Sequence, residues 1–197
     1  TTDAAKLVGC INALSKQIIG DADLLKNSDP TPMHRAVAFC QTIAVSKEIT
    51  AAFMETQREL TPSERETMVT VNSDHIDGSM NAGLREEKLN WLKQGNEAAN
   101  ECRILTNVRC LSEGVDVPSL DAVMFLSPRN SQIEVVQSVG RVMRIAEGKK
   151  YGYIIIPVVV PSYVEADVAL DKNESFKTVW EAVSYTHLRA HETCADL

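Results

Sequence analysis

Apolar residues at helical spacing open the chain. Ala4, Leu7, Val8, Ile11, Leu14 and Ile18 predict a helix over residues 4–19, stopped at Gly20. Residues 21–32 are polar and carry Pro30 and Pro32, which predicts a linker. An alternating grammar then begins. Ala36–Cys40 is a short apolar run, followed by a helical pattern from Ser46 to about Leu60. Met68–Ile76 alternates as a strand does, Asp77-Gly78-Ser79 makes a turn, and a helix is predicted from about Leu84 to Lys93. Arg103–Thr106 predicts the next strand, Val115–Leu120 a loop and Asp121–Leu126 another strand. Ser131–Arg144 reads as a helix, and Tyr151–Val160 closes with a β-branched run. A last helical pattern surrounds Phe176, Val179 and Trp180.

Strands alternating with helices predict βαβ units, and hence an α/β fold: a doubly wound, mostly parallel sheet with helices on both faces. At 197 residues the chain suits one such domain with some appended helix. The longest apolar run, Tyr153–Val160, is broken by Pro157 and falls short of the roughly 20 residues a membrane span needs. No basic, apolar leader opens the sequence, so a cytoplasmic location is expected. The five cysteines are scattered without a C-x-x-C pair, which predicts free, mostly buried thiols and no metal framework. An aromatic content of 5% argues against a base-stacking platform. A formal charge of −7 argues against a nucleic-acid coat protein. It remains compatible with a protein that grips few phosphates at a time through a small patch such as Arg129, Arg141, Arg144, Lys149 and Lys150.

The candidate chemistry lies late in the chain. Gln137, Gly140, Arg141 and Arg144 form a Q-x-x-G-R-x-x-R run, preceded by Glu113-Gly114-Val115-Asp116-Val117-Pro118 and an apolar strand. Arginine keeps its charge at any working pH and offers a planar fork of donors. Two of them three residues apart share a helical face and can meet the charge spread over a transferring phosphoryl group. In this order the elements resemble motifs V and VI of superfamily 2 helicases, in the second RecA-like domain of an ATP-driven nucleic-acid motor. The resemblance covers roughly Ala5 to Trp180. It implies that Arg141 and Arg144 are catalytic, reaching a γ-phosphate across a domain cleft. It also implies that Gly114, Asp116, Gln137 and Gly140 serve the nucleotide. Asp116 would accept from the ribose hydroxyls or hold motif VI in place, and Gln137 would couple nucleotide to track. Thr106, Asn107 and Arg109, at the end of a strand, and Phe39, where the family has motif IV, are the implied nucleic-acid contacts. Arg109 stands as the alternative to Thr106, because about two extra residues separate Thr106 from Gly114. His75-Ile76-Asp77-Gly78-Ser79-Met80 with Arg85 and Leu89 resembles the family's strand, glycine turn and arginine-bearing helix, with a structural role expected for Arg85.

No G-x-x-x-x-G-K-[ST] loop and no D-E-x-H or D-E-x-D run occurs in the sequence. The chain therefore reads as the carboxyl-side half of a motor, inactive alone. ATP with Mg²⁺ is the implied cofactor, with the metal ligands on a missing N-terminal RecA-like domain. Residues 110–118 and 140–144, with 149–153, look most like the translocase subunits of restriction-modification enzymes, which implies double-stranded DNA as partner. The competing reading is a non-catalytic nucleic-acid-binding or regulatory module on the same fold. The expected organisation is an entering helix and linker (1–30), the RecA-like domain (31–170), a trailing helix (171–183) and a non-native or disordered tail (184–197).

Overall fold

Five strands form a wholly parallel sheet: β1 (Arg35–Phe39), β2 (Thr70–His75), β3 (Glu101–Asn107), β4 (Ala122–Phe125) and β5 (Tyr153–Ile155), in the order β2-β3-β1-β4-β5. The computed structural model describes residues 2–16, 31–94, 100–111, 120–142, 151–158, 168 and 172–183, and for 2–5 and 141–142 the backbone alone. In β1 all four residues from Ala36 to Phe39 are buried, as they must be when helices cover both faces of a sheet. The two-residue alternation of side chains sorts the core into two layers. Ala36, Ala38, Cys102, Ile104, Ala122 and Met124 face one side, packed on Leu7, Ile11 and Leu14 of α1 (Thr2–Leu14) and Phe53 of α2 (Ile43–Glu59). Val37, Phe39, Leu105, Val123 and Phe125 face the other. That layer is closed by Leu92 of α4 (Ala82–Lys93), Val135 and Val139 of α5 (Gln132–Val142), and Phe176, Val179 and Ala182. The doubly wound, RecA-like α/β architecture expected from the alternation is therefore present.

Some boundaries differ from the expectation, each for a local reason. The first helix ends at Leu14 and not at Ile19. Lys16 turns the backbone into the left-handed region (φ 58), and the Leu14 carbonyl accepts from Met33 N, which leads the chain into β1. Ser15, just past the helix, donates through Oγ to the Ile11 carbonyl and accepts from Val69 N, tying the helix end to the strand layer. The second helix begins at Ile43 because the Thr42 side chain accepts from Val45 N and caps it. A short helix, α3 (Pro62–Thr67), stands where no element was expected. Its signal was in the sequence: Thr61-Pro62-Ser63-Glu64 makes a full capping box with proline in the first turn. Cys10, Cys40, Cys102 and Cys110 are free thiols, the first three buried. Among the described residues no helix is long and apolar enough to cross a membrane.

Candidate functional site

In a doubly wound sheet, ligands bind beyond the carboxyl ends of the strands, where neighbouring connections leave on opposite faces. Here β1 and β4 are hydrogen-bonded neighbours. The helix after β1, α2, lies on the first face, and the helix after β4, α5, lies on the second. The switch point thus falls between Phe39 and Phe125, whose rings stack with centroids 5.7 Å apart. The carboxyl edge around it divides into two polar assemblies.

The assembly over β2 and β3 is sealed. The His75 Nε2 lies 2.8 Å from Asp77 Oδ2, and its Nδ1 lies 2.7 Å from Ser46 Oγ. Ser46 Oγ is in turn 2.9 Å from Thr106 Oγ1, which also meets Thr50 Oγ1 at 2.7 Å. A carboxylate only accepts, so Asp77 places a proton on Nε2 and fixes the imidazole. The Ser79 hydroxyl and the imidazole both donate to Asp77 and hold its carboxyl at about 2, from 3.8. The order Asp77, His75, Ser46 has the connectivity of a nucleophilic triad, yet Ser46 and Thr106 are 0% exposed. Their hydroxyls are engaged with each other and with the carbonyls around them. This assembly locks the first turns of α2 onto the ends of two strands.

Thr106, expected at the nucleic acid, therefore sits inside the protein. Asn107 does too: its Nδ2 donates to the Ala38 carbonyl (3.2 Å) and its Oδ1 accepts from Leu111 N (3.4 Å), stitching β3 to β1 and starting the following turn. Phe39 is 2% exposed. Its ring carries the Arg129 guanidinium 5.0 Å from the centroid as well as stacking on Phe125. Of the four implied nucleic-acid contacts, Arg109 alone presents its charge outward, with 76% of its side chain exposed.

The second assembly, over β1, β4 and α5, is charged and partly open. Arg129 is buried, and its Nη2 donates to the carbonyls of Val108 (2.9 Å) and Cys40 (3.2 Å). Burial lowers its pKa, while Glu134 opposes that shift. Glu134 lies between two arginines, 3.6 Å from Arg109 Nε and 4.0 Å from Arg129 Nη1. Beside it, Gln41 N donates to Ser127 Oγ (3.1 Å), closing the ends of β1 and β4.

Helix α5 rises from this edge. Its first turn is capped by Ser131, whose hydroxyl accepts from Glu134 N (3.3 Å). Val135 and Val139 anchor it to the core. Ile133, Gln137 and Gly140 recur at i, i+4 and i+7 on the outward face, all exposed, Ile133 at 71%. A Cβ added at Gly140 would meet nothing within 4 Å. The backbone of Arg141 continues this helix, while Gly114, Asp116 and Arg144 lie outside the described residues. Arg85 is half-buried in the first turn of α4. Among the described residues no three His, Cys, Asp or Glu side chains gather as metal ligands.

Sequence reasoning missed Ser46 and Thr50 altogether, because a hydroxyl on a helix gives no periodic signal. It counted Arg129 only as surface charge. Its one clue was position, two residues before the α5 cap and just after an apolar strand.

A wholly parallel five-stranded sheet in the order β2-β3-β1-β4-β5, with helices on both faces, defines a RecA-like α/β domain. Residues 17–146 match the family described as helicase conserved C-terminal domain, and the chain belongs to it. Among solved structures, the ATP-dependent Type ISP restriction-modification enzyme LlaBIII bound to DNA is 41% identical, with a TM-score of 0.72. That match covers 92% of this chain and 11% of the enzyme's. The E. coli DEAD-box protein SrmB shares the fold at a TM-score of 0.53 and 17% identity, over 79% of this chain and 71% of its own. A "Probable helicase" of African swine fever virus (isolate Pig/Kenya/KEN-50/1950) is 34% identical over 95 residues, 48% of this chain and 11% of the viral protein. The chain thus spans about a tenth of the length of LlaBIII and of the viral relative.

Proposed function

We propose that this chain is the second RecA-like domain of an ATP-dependent DNA translocase of the restriction-modification type, acting in the cytoplasm on double-stranded DNA. The observation that carries this reading is the placement of α5. The helix bearing Gln137, Gly140 and Arg141 leaves the switch point with the outward face of Ile133, Gln137 and Gly140 uncovered. The likeness to LlaBIII, 41% identical over 92% of the chain, supports the choice of subfamily. A missing N-terminal RecA-like domain would abut this face, completing a nucleotide site and carrying the Mg²⁺ ligands.

The chain's own contribution fits a triphosphate. Open space over Gly140 allows close approach, and arginine guanidinium groups following it match phosphate oxygens in geometry and charge. ATP, when bound, supplies the phosphoryl transfer that drives movement. Arg141 and Arg144 would meet the negative charge of the γ-phosphate, Gly114 would let the backbone approach the nucleotide, Asp116 would accept from the ribose hydroxyls or hold motif VI in place, and Gln137 would couple nucleotide to track. Arg109 supplies the phosphate contact on the DNA side, while Thr106, Asn107 and Phe39 keep the strand ends in shape beneath it.

Arginines without a phosphate loop cannot position a γ-phosphate. The purified chain should therefore hydrolyse no ATP above background, with or without DNA, in a steady-state phosphate-release assay. DNA-stimulated turnover by this polypeptide alone would sink the half-motor reading. DNA binding by the chain should be weak, about 10⁻⁴ to 10⁻⁶ M, salt-dependent and indifferent to sequence. A tight, sequence-selective complex would favour a stand-alone binding module.

A further inference from the structure

One carboxylate at the carboxyl edge serves two arginines of opposite exposure. Glu134 Oε1 faces Arg109 at 3.6 Å and Oε2 faces Arg129 at 4.0 Å, where the Arg109 side chain is 76% exposed and that of Arg129 8%. Both separations exceed the 2.7–2.9 Å of a charge-assisted hydrogen bond, so neither pair is closed. The Arg129 Nε is buried without a partner among the described residues, leaving that guanidinium with unused donor capacity. Arg129 also holds the Val108 carbonyl, immediately before Arg109, and the Cys40 carbonyl at the end of β1. Glu134 itself stands in the first turn of α5, the helix that continues to Gln137, Gly140 and Arg141.

We propose that Arg109, Glu134 and Arg129 form a charge relay by which a nucleic-acid phosphate arriving at the end of β3 repositions α5. Without the phosphate, Arg109 is shared with Glu134. A phosphate takes Arg109 over, and the released carboxylate closes on Arg129, drawing the first turn of α5 toward the switch point. An exposed ion pair of small energy suits this exchange, because a single phosphate can displace it. The relay rests on the DNA-binding reading above and adds to it a route from track to nucleotide face.

The test uses the full chain and a short duplex of arbitrary sequence, read by fluorescence anisotropy over a range of salt. Arg109→Ala should weaken binding and lower the salt slope by about 1. Glu134→Gln, which frees Arg109, should tighten binding about two- to five-fold. In the Arg109→Ala background Glu134→Gln should change nothing, since the two act through one contact. Glu55→Gln, an equal charge change on exposed α2, should leave affinity unaltered. Duplex should also alter amide exchange across Val135–Val139 in the parent chain, and not in Glu134→Gln.

Equal tightening by Glu55→Gln, or by Glu134→Gln in the Arg109→Ala background, would reduce the effect to net charge and overturn the relay alone. Unchanged exchange in α5 on duplex binding would do the same. Duplex binding that is absent at low salt or indifferent to Arg109→Ala would instead overturn the DNA-side reading on which the relay stands.

Discussion

The two polar assemblies on the carboxyl edge are made of similar materials and have opposite fates. Over β2 and β3, Ser46, Thr50, His75, Asp77 and Thr106 spend their hydrogen bonds on one another, and every member but Thr50 is buried. Over β1, β4 and α5, Arg109 and Glu134 stay partly in water and, among the described residues, Arg129 keeps a donor without a partner. A satisfied buried network rigidifies, because opening it strands polar groups in a low dielectric. An incompletely paired one can exchange partners at small cost. Function on this edge is therefore expected where pairing is loose, and structure where it is complete.

The comparison breaks first if the proposed arginines are inert. In the longer motor proposed above for this chain, Arg141→Ala or Arg144→Ala should lower turnover by about 10³-fold or more while ATP and DNA binding persist. Arginine to lysine should fail nearly as badly, since the planar fork is lost. Steady-state ATPase assays with nucleotide titrations check this, and near-normal turnover in both alanine variants would end the motif VI assignment.

On the sealed side, Asp77→Ala should cost about 2–3 kcal/mol in urea unfolding of the isolated chain, because it leaves the buried His75 Nε2–H and the Ser79 hydroxyl without their acceptor. Acid should reveal the same contact. Asp77 has its carboxyl lowered from 3.8 to about 2, so its contribution is fully present above pH 3.8 and is lost as pH falls toward 2. In Asp77→Asn that part of the acid dependence should vanish. A wild-type and Asp77→Asn pair with identical pH profiles would show that the carboxylate is not held as described.

Thr106→Val should destabilise by about 1–3 kcal/mol, leaving the hydroxyls of Ser46 and Thr50 short of a partner. The salt slope of DNA binding should not move. A fall in slope equal to that of Arg109→Ala would make Thr106 a phosphate contact after all. The smallest effect is expected at Gly140→Ala, which should raise stability of the isolated chain by up to about 1 kcal/mol, given open space and better helix propensity. The same change in the proposed longer motor should impair turnover if another domain or a nucleotide approaches that face.

Much of the fold was legible in order and type. Short apolar runs alternating with helical patterns announced a parallel sheet, and β1, β3 and β4 lie where those runs are. Boundaries were harder, as at Leu14, where a left-handed Lys16 and a bond from Met33 end a helix whose apolar period runs on. The α3 helix was readable from its capping box but is too short to show a period.

The sequence by itself determined the alternation of elements and the order Gln137, Gly140, Arg141, Arg144, because hydrophobic period and motif spacing are local properties of the chain. Tertiary structure alone decided which polar residues at the strand ends face water. Thr106 and Arg109 are three residues apart, yet one hydroxyl is enclosed by α2 while the other side chain projects from the turn beyond β3. That difference depends on a helix some 60 positions earlier packing across the strand ends. Burial of a polar group is set by such distant contacts, and no local pattern records them.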